Sequence, residues 1–173
     1  MDRVLETIKT RRSIRAYKPD MVEKELIDKV IEAGTYAVTG RGNQSPIIIA
    51  VTNREVRDKL SKMNGKIMGT DTDPFYGAPV VLIVLADKTK NTYLYDGSLV
   101  MGNMMLEAHN LGLGSCWIHR AKEEFESEEG KEILKSLGIT GDYEGIGHCV
   151  LGYIKGDAPE AAPRKEDYVY YID

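Results

Sequence analysis

The unbroken apolar run V-V-L-I-V-L-A at residues 80–86 most limits what this chain can become. A membrane helix needs about 20 apolar residues, so the run is far too short to cross a bilayer. It follows D-P-F-Y-G-A-P at residues 73–79, a cluster of turn formers, and its residues 80–85 read as a β-strand. Residues 47–51, I-I-I-A-V, repeat the arrangement behind G-R-G-N-Q-S-P at 40–46. Further strands are expected at 115–118, 146–151 and 169–172, and helical patterns alternate with them. Leu26, Ile27, Val30 and Ile31 share one face of a helix over 22–36. A second helix over 96–111 carries Leu99, Val100, Met104 and Leu106 and is apolar on most sides, which predicts a central, buried position. Asn53 is placed to cap a helix over 54–63, and Ser127 to cap one that runs to Leu137 and stops at Gly138. Residues 65–79 read as a loop and 155–165 as a surface tail. A length of 173 residues, 42% hydrophobic and 29% charged, suits one domain over residues 1–173 with a real core.

Against a formal net charge of -4, T-R-R-S-I-R-A-Y-K-P at residues 10–19 gathers Arg11, Arg12, Arg15 and Lys18. The stretch follows a short amphipathic helix pattern formed by Val4, Leu5 and Ile8. A guanidinium binds two phosphate oxygens at once, and the Ser13 hydroxyl or a free backbone N–H can complete the shell, so the stretch suits an anion clamp. The same cations also suit the negative end of the first helix. Taken alone, the stretch leaves both readings open.

Other function classes fit poorly. A pI near 5.5 and a single Trp argue against a nucleic-acid surface. Cys116 and Cys149 lie in apolar strand settings without a C-x-x-C, which points to buried thiols rather than a dithiol redox site. His109, His119 and His148 have no metal-ligand spacing, so no metal is expected. The N-terminus lacks the apolar core of a signal peptide, and a cytoplasmic protein is expected. Gly112 and Gly114 do not make a dinucleotide fingerprint, because they close a helix and open a strand, the reverse of the required order. Gly112 suits a left-handed helix stop. No hydrolytic constellation of nucleophile and base stands out.

The clamp, the loops at 40–46 and 73–79, A-H-N-L-G-L-G-S-C-W-I-H at 108–119, G-H-C-V-L-G-Y at 147–153 and P-R-K at 163–165 occur in the order and spacing of one family. The chain resembles the nitroreductases, FMN-dependent oxidoreductases. The resemblance implies an α+β, three-layer α-β-α fold with a central mixed, mainly antiparallel sheet flanked by helices, in a homodimer. It implies FMN as cofactor, with Arg11 and Ser13 on the phosphate, Arg12 contributing backbone and stem contacts, and Arg164 and Lys165 closing from the far end. Arg15 would lie by the pyrimidine edge of the ring, where a cation stabilises charge gained on reduction. Asn43, Gln44, Ser45 and Pro46 match the loop that offers a glutamine to the ring, characteristically from the partner subunit, and Q-S-P replaces the frequent Q-P-W. Trp117, Ile118 and His119 match the segment whose backbone N–H reaches flavin N5; His119 stands where many relatives have glycine, as a surface histidine or a proton donor. The implied activity is ping-pong transfer of hydride from NADH or NADPH through flavin N5 to nitroaromatics, quinones or free flavins. The alternatives are flavin binding or sensing without turnover, and a dehalogenase-like or flavin-fragmenting reaction on the same scaffold.

Overall fold

The computed structural model describes residues 2–172. Its sheet has four strands: β1 (Pro46–Val51), β2 (Val80–Asp87), β3 (Gly114–Ile118) and β4 (Tyr143–Gly152). They pair antiparallel in the order β1-β2-β4-β3, and one isolated parallel bridge, Ser13 to Ser115, extends the sheet beyond β3. The run that opened the sequence reading is β2, with every residue from Val80 to Ala86 fully buried. Alternate side chains point to opposite faces of a strand. Val80, Leu82, Val84 and Ala86 accordingly join one core, and Val81, Ile83 and Leu85 the other. Both faces are covered, which is why the strand does not alternate with polar residues.

Among the described residues, six α-helices surround the sheet: α1 (Arg3–Thr10), α2 (Lys24–Thr35), α3 (Arg54–Met68), α4 (Tyr93–Asn110), α5 (Ala121–Glu126) and α6 (Glu128–Ser136). Ile27 and Val30 of α2 and Val100, Met101 and Met104 of α4 fill the first core, whereas Leu99, expected with them, is 45% exposed. Leu60 and Met63 of α3 and Phe125 of α5 fill the second. Helix α1 packs on α4 and buries none of its own residues. The expected caps are present: Asn53 accepts from Val56 N–H and Ser127 from Gly130 N–H. Gly112 and Gly138 take the left-handed conformation after their helices, with φ 77° and 69°.

Three expectations change. Helix α3 runs to Met68 where a loop was expected from residue 65, because Gly65 is buried inside the helix and Gly69, at φ 75°, supplies the left-handed stop. The six-residue α5 was not foreseen, being too short to show a period. Residues 169–172 form no strand; this chain's sheet offers them no edge they reach, and Tyr170 and Tyr171 are 79% and 85% exposed.

Candidate functional site

The basic stretch leaves α1 and runs along the outer edge of β3. Ile14 N–H donates to Ser115 O at 2.9 Å, and on the other side Lys18 N–H donates to Tyr153 O at 2.9 Å and Lys155 N–H to Ala16 O at 3.1 Å. The buried Tyr17 hydroxyl closes the turn on Ile14 O at 2.8 Å. Gly114 permits this close fit, since a Cβ there would stand 3.0 Å from the side chains of Ile14 and Ile154. The backbone of the clamp is thus fixed from both sides.

Its cations divide between the two roles the sequence left open. Arg12 serves the helix end, donating through Nη1 to the carbonyls of Lys9 and Arg11 at 2.7 and 2.8 Å. Arg11 does not: its Nη1 is buried and has no partner among the described residues. A buried, unpaired guanidinium nitrogen is costly unless an anion satisfies it. Arg15 is exposed beside them. His109 on α4 meets Thr10 Oγ1 at 2.7 Å, and burial followed by the nearby Arg11 and Arg12 holds its pKa below the ordinary value. At neutral pH it therefore adds no charge to the clamp.

At the end of β3 the chain turns sharply. Trp117 lies against β4, where a Cβ on Gly147 would come 2.5 Å from the indole Nε1. Ile118 is buried and His119 exposed. Arg120 has φ 75°, a left-handed backbone that costs a non-glycine residue roughly 1–2 kcal/mol. Asn64, fully buried in α3, holds it there. Asn64 Nδ2 donates to His119 O at 2.9 Å and its Oδ1 accepts from Arg120 Nε at 2.9 Å. Among the described residues, the N–H groups of His119 and Arg120 donate to nothing. Two free donors therefore stand at the end of the strand whose edge carries Arg11 and Ser13.

The structure does not bring the other candidates to this place. Asn43, Gln44, Ser45 and Pro46 enter β1, at the opposite edge of the sheet and three strand spacings away, roughly 14 Å. Asp96, 2% exposed, anchors their loop by accepting from Gly40 N–H at 3.0 Å, Ser45 Oγ at 2.7 Å and Thr92 Oγ1 at 3.0 Å. Burial favours its neutral form, but these three donors outweigh it and hold the carboxyl below the usual range. Arg41 and Gln44 are left-handed, at φ 56° and 46°, and Asn43 and Gln44 are exposed. Arg164 only turns back on Ala162 O at 2.7 Å, and Lys165 sits 5.6 Å from the Tyr168 ring centre. Both lie in an exposed tail with no hydrogen bond to the clamp of the same chain.

Burial raises the Cys116 thiol, with Arg15 and Ser13 pulling partly back, and pushes Cys149 up to about 12. Neither thiol supplies a thiolate at neutral pH. No cluster able to hold a metal occurs among the described residues, and no helix there is long and apolar enough to cross a membrane. Sequence reasoning missed Asn64 and Asp96, whose importance lies in long-range partners. For Asp96 the one local signal was its spacing from Thr92.

The solved structures that share this architecture also share its length. A nitroreductase with bound FMN from Bacteroides fragilis superposes with a TM-score of 0.90 at 27% identity, covering 100% of both chains. One from Desulfitobacterium hafniense, also with bound FMN, gives 0.88 at 26% identity and the same coverage. An Archaeoglobus fulgidus relative, named as a candidate NADH dehydrogenase/NAD(P)H nitroreductase, is 30% identical over 91% of this chain and 88% of its own. A Methanothermobacter thermautotrophicus relative of the same name is 37% identical over 66% of this chain, a match spanning 59% of that protein. The nitroreductase family model matches residues 8–70 and 68–153, which takes in the clamp, α3 with Asn64 and the end of β3. The chain belongs to the nitroreductase family.

Proposed function

We propose that the protein is an NAD(P)H-dependent flavin oxidoreductase that binds FMN along the outer edge of β3. The observation that carries this reading is Arg11 Nη1, a buried donor with no partner beside Ser13. FMN fits the donor set: a dianionic phosphate suits Arg11 and the Ser13 hydroxyl, and an electron-accepting ring suits fixed N–H donors at the strand end. When bound, FMN would supply the redox chemistry, hydride transfer between NADH or NADPH and a nitroaromatic, quinone or flavin.

The chain's own contribution is binding and electrostatics. Arg11 and Ser13 hold the phosphate. Arg15, solvent-exposed and rigidly based, would lie by the pyrimidine edge, where its charge would favour the more negative reduced state. The free N–H groups of His119 and Arg120 would serve as donors to the N5 side of the ring. None of these groups is a nucleophile, as a reaction carried by its cofactor requires.

Asn43, Gln44, Arg164 and Lys165 belong in this reading to the neighbouring subunit's site. A homodimer reconciles their family positions with their distance from the clamp of their own chain. The surface supports such an assembly: Val4, Ile8 and Tyr95 are 69%, 51% and 72% exposed, as are the tail aromatics Tyr170 and Tyr171 at 79% and 85%. Val4 and Ile8 stand one turn apart on α1, and exposed apolar side chains of this kind suit burial against a second subunit. Use of NAD(P)H fits a cytoplasmic location.

Mass spectrometry of ligand released by heating the purified protein tests the cofactor. FMN is expected; FAD, or no flavin after reconstitution, contradicts the reading.

A further inference from the structure

Glu124 of α5 and His148 of β4 are both fully buried, with Oε2 and Nε2 2.6 Å apart. Among the described residues, neither carboxylate oxygen of Glu124 nor Nε2 of His148 makes a hydrogen bond, and the two side chains meet by proximity alone. Nothing in the flavin chemistry uses them directly. Two ionisable groups in a dry interior cost stability unless geometry and hydrogen bonds offset their desolvation, and a pair kept there without those bonds points to a role.

Their position says what that is. His148 stands directly opposite Ile118 in the β3–β4 register, and its Nδ1 lies 3.4 Å from Ile118 O. Phe75 braces the ring from the side, with centroids 5.2 Å apart at 43°. Helix α5 begins at the turn itself, since Glu124 N–H donates to Arg120 O at 3.0 Å. The pair thus links the two ends of the 118–120 turn.

A carbonyl only accepts, so a hydrogen bond between the ring and Ile118 O has Nδ1–H as its donor.

We propose that Glu124 and His148 are positioning residues for the flavin ring, holding the Ile118 carbonyl inward and thereby turning the His119 N–H outward. The C=O and N–H of one trans peptide point in opposite directions. Asn64 does the same for the next peptide through His119 O, so both free N–H groups are aimed from behind by buried side chains. The inference rests on the flavin reading above. A displacement of about 1 Å at such a donor can cost on the order of a hundredfold in rate.

The test compares the FMN-loaded and flavin-free protein with the double variant Glu124→Leu/His148→Leu. Replacing a buried ion pair by apolar groups is often neutral for stability, so a purely structural pair would leave the flavin properties unchanged. The proposal predicts at least about tenfold slower flavin reduction by NAD(P)H at unchanged nicotinamide KM. It also predicts a bound-flavin spectrum moved toward that of free FMN, and about tenfold faster amide exchange at His119 and Arg120 without flavin. If the double variant does not fold, single substitutions decide. His148→Asn keeps a donor near the Nδ1 position and should keep the spectrum, whereas His148→Gln reaches only toward Glu124 and should lose it. Equal spectra for the two, or an unaltered rate and spectrum in a folded double variant, overturn the inference. A parent that binds no flavin overturns it together with the flavin reading; a parent that binds and reduces flavin while the variants match it overturns the inference alone.

Discussion

Arg11 and Arg12 are neighbours in sequence and opposites in role. Arg12 uses its guanidinium on the carbonyls that end α1, while Arg11 holds a buried nitrogen that nothing among the described residues satisfies. The two effects of removing Arg11 should therefore have opposite signs. Arg11→Ala is expected to weaken FMN binding by about 1.5–3 kcal/mol, roughly ten- to a hundredfold, as one charge-assisted hydrogen bond is lost. The flavin-free protein should lose no stability, because an unsatisfied buried donor goes with it. Isothermal titration with FMN and thermal melting of the flavin-free variant measure both. Equal affinity would move the phosphate elsewhere. At this scale the sequence was legible to the level of a basic cluster and no further: R-R-S shows three donors, and only the three-dimensional surroundings show which guanidinium is already engaged. His119 is similar, since the departure from glycine was visible, but the left-handed residue is Arg120, stabilised by an asparagine 56 positions away.

Among the elements, the strands and long helices were readable because each repeats its signal along a face or a run. Strand β2 showed itself by composition, α2 by period and α6 by its cap and stop. The turn after β3 and the loop before β1 were not readable, because distant side chains set their shapes. Asp96 shows how such an anchor can be tested. Its carboxyl ionises below its ordinary 3.8, so it contributes stability that is present above that value and lost as the pH falls through the lower, folded one. Asp96→Asn keeps the shape but loses charge-assisted bonds to Gly40, Ser45 and Thr92, and should destabilise by about 1–3 kcal/mol at neutral pH. Urea unfolding should show that difference shrinking as the pH drops below about 4. A difference that stays constant with pH would mean that the carboxylate charge does not hold the loop. Asp73 contributes in the same direction in the parent: burial opposes its ionisation, but donors from Arg57, Ser61, Phe75 and Gly77 prevail.

For the whole molecule, the sheet order separates two groups of residues that the family motif puts at one cofactor. Arg11, Ser13 and the 118–120 turn lie at the β3 edge, and Gln44 at the β1 edge. No bend in a four-stranded sheet closes that gap, which is why the dimer carries the account. Sedimentation velocity at micromolar concentration should show twice the chain mass with two flavins per particle. A flavin-saturated monomer would remove Gln44 and Arg164 from the site. The central claim, that the cofactor bound at β3 turns over, is tested most directly by anaerobic stopped-flow mixing of the FMN-loaded protein with NADH or NADPH, followed by a quinone or nitroaromatic. The account predicts rapid bleaching of the flavin band with one nicotinamide and its return with the acceptor. A bound flavin that stays oxidised with both nicotinamides would contradict it and leave a flavin-binding protein without turnover.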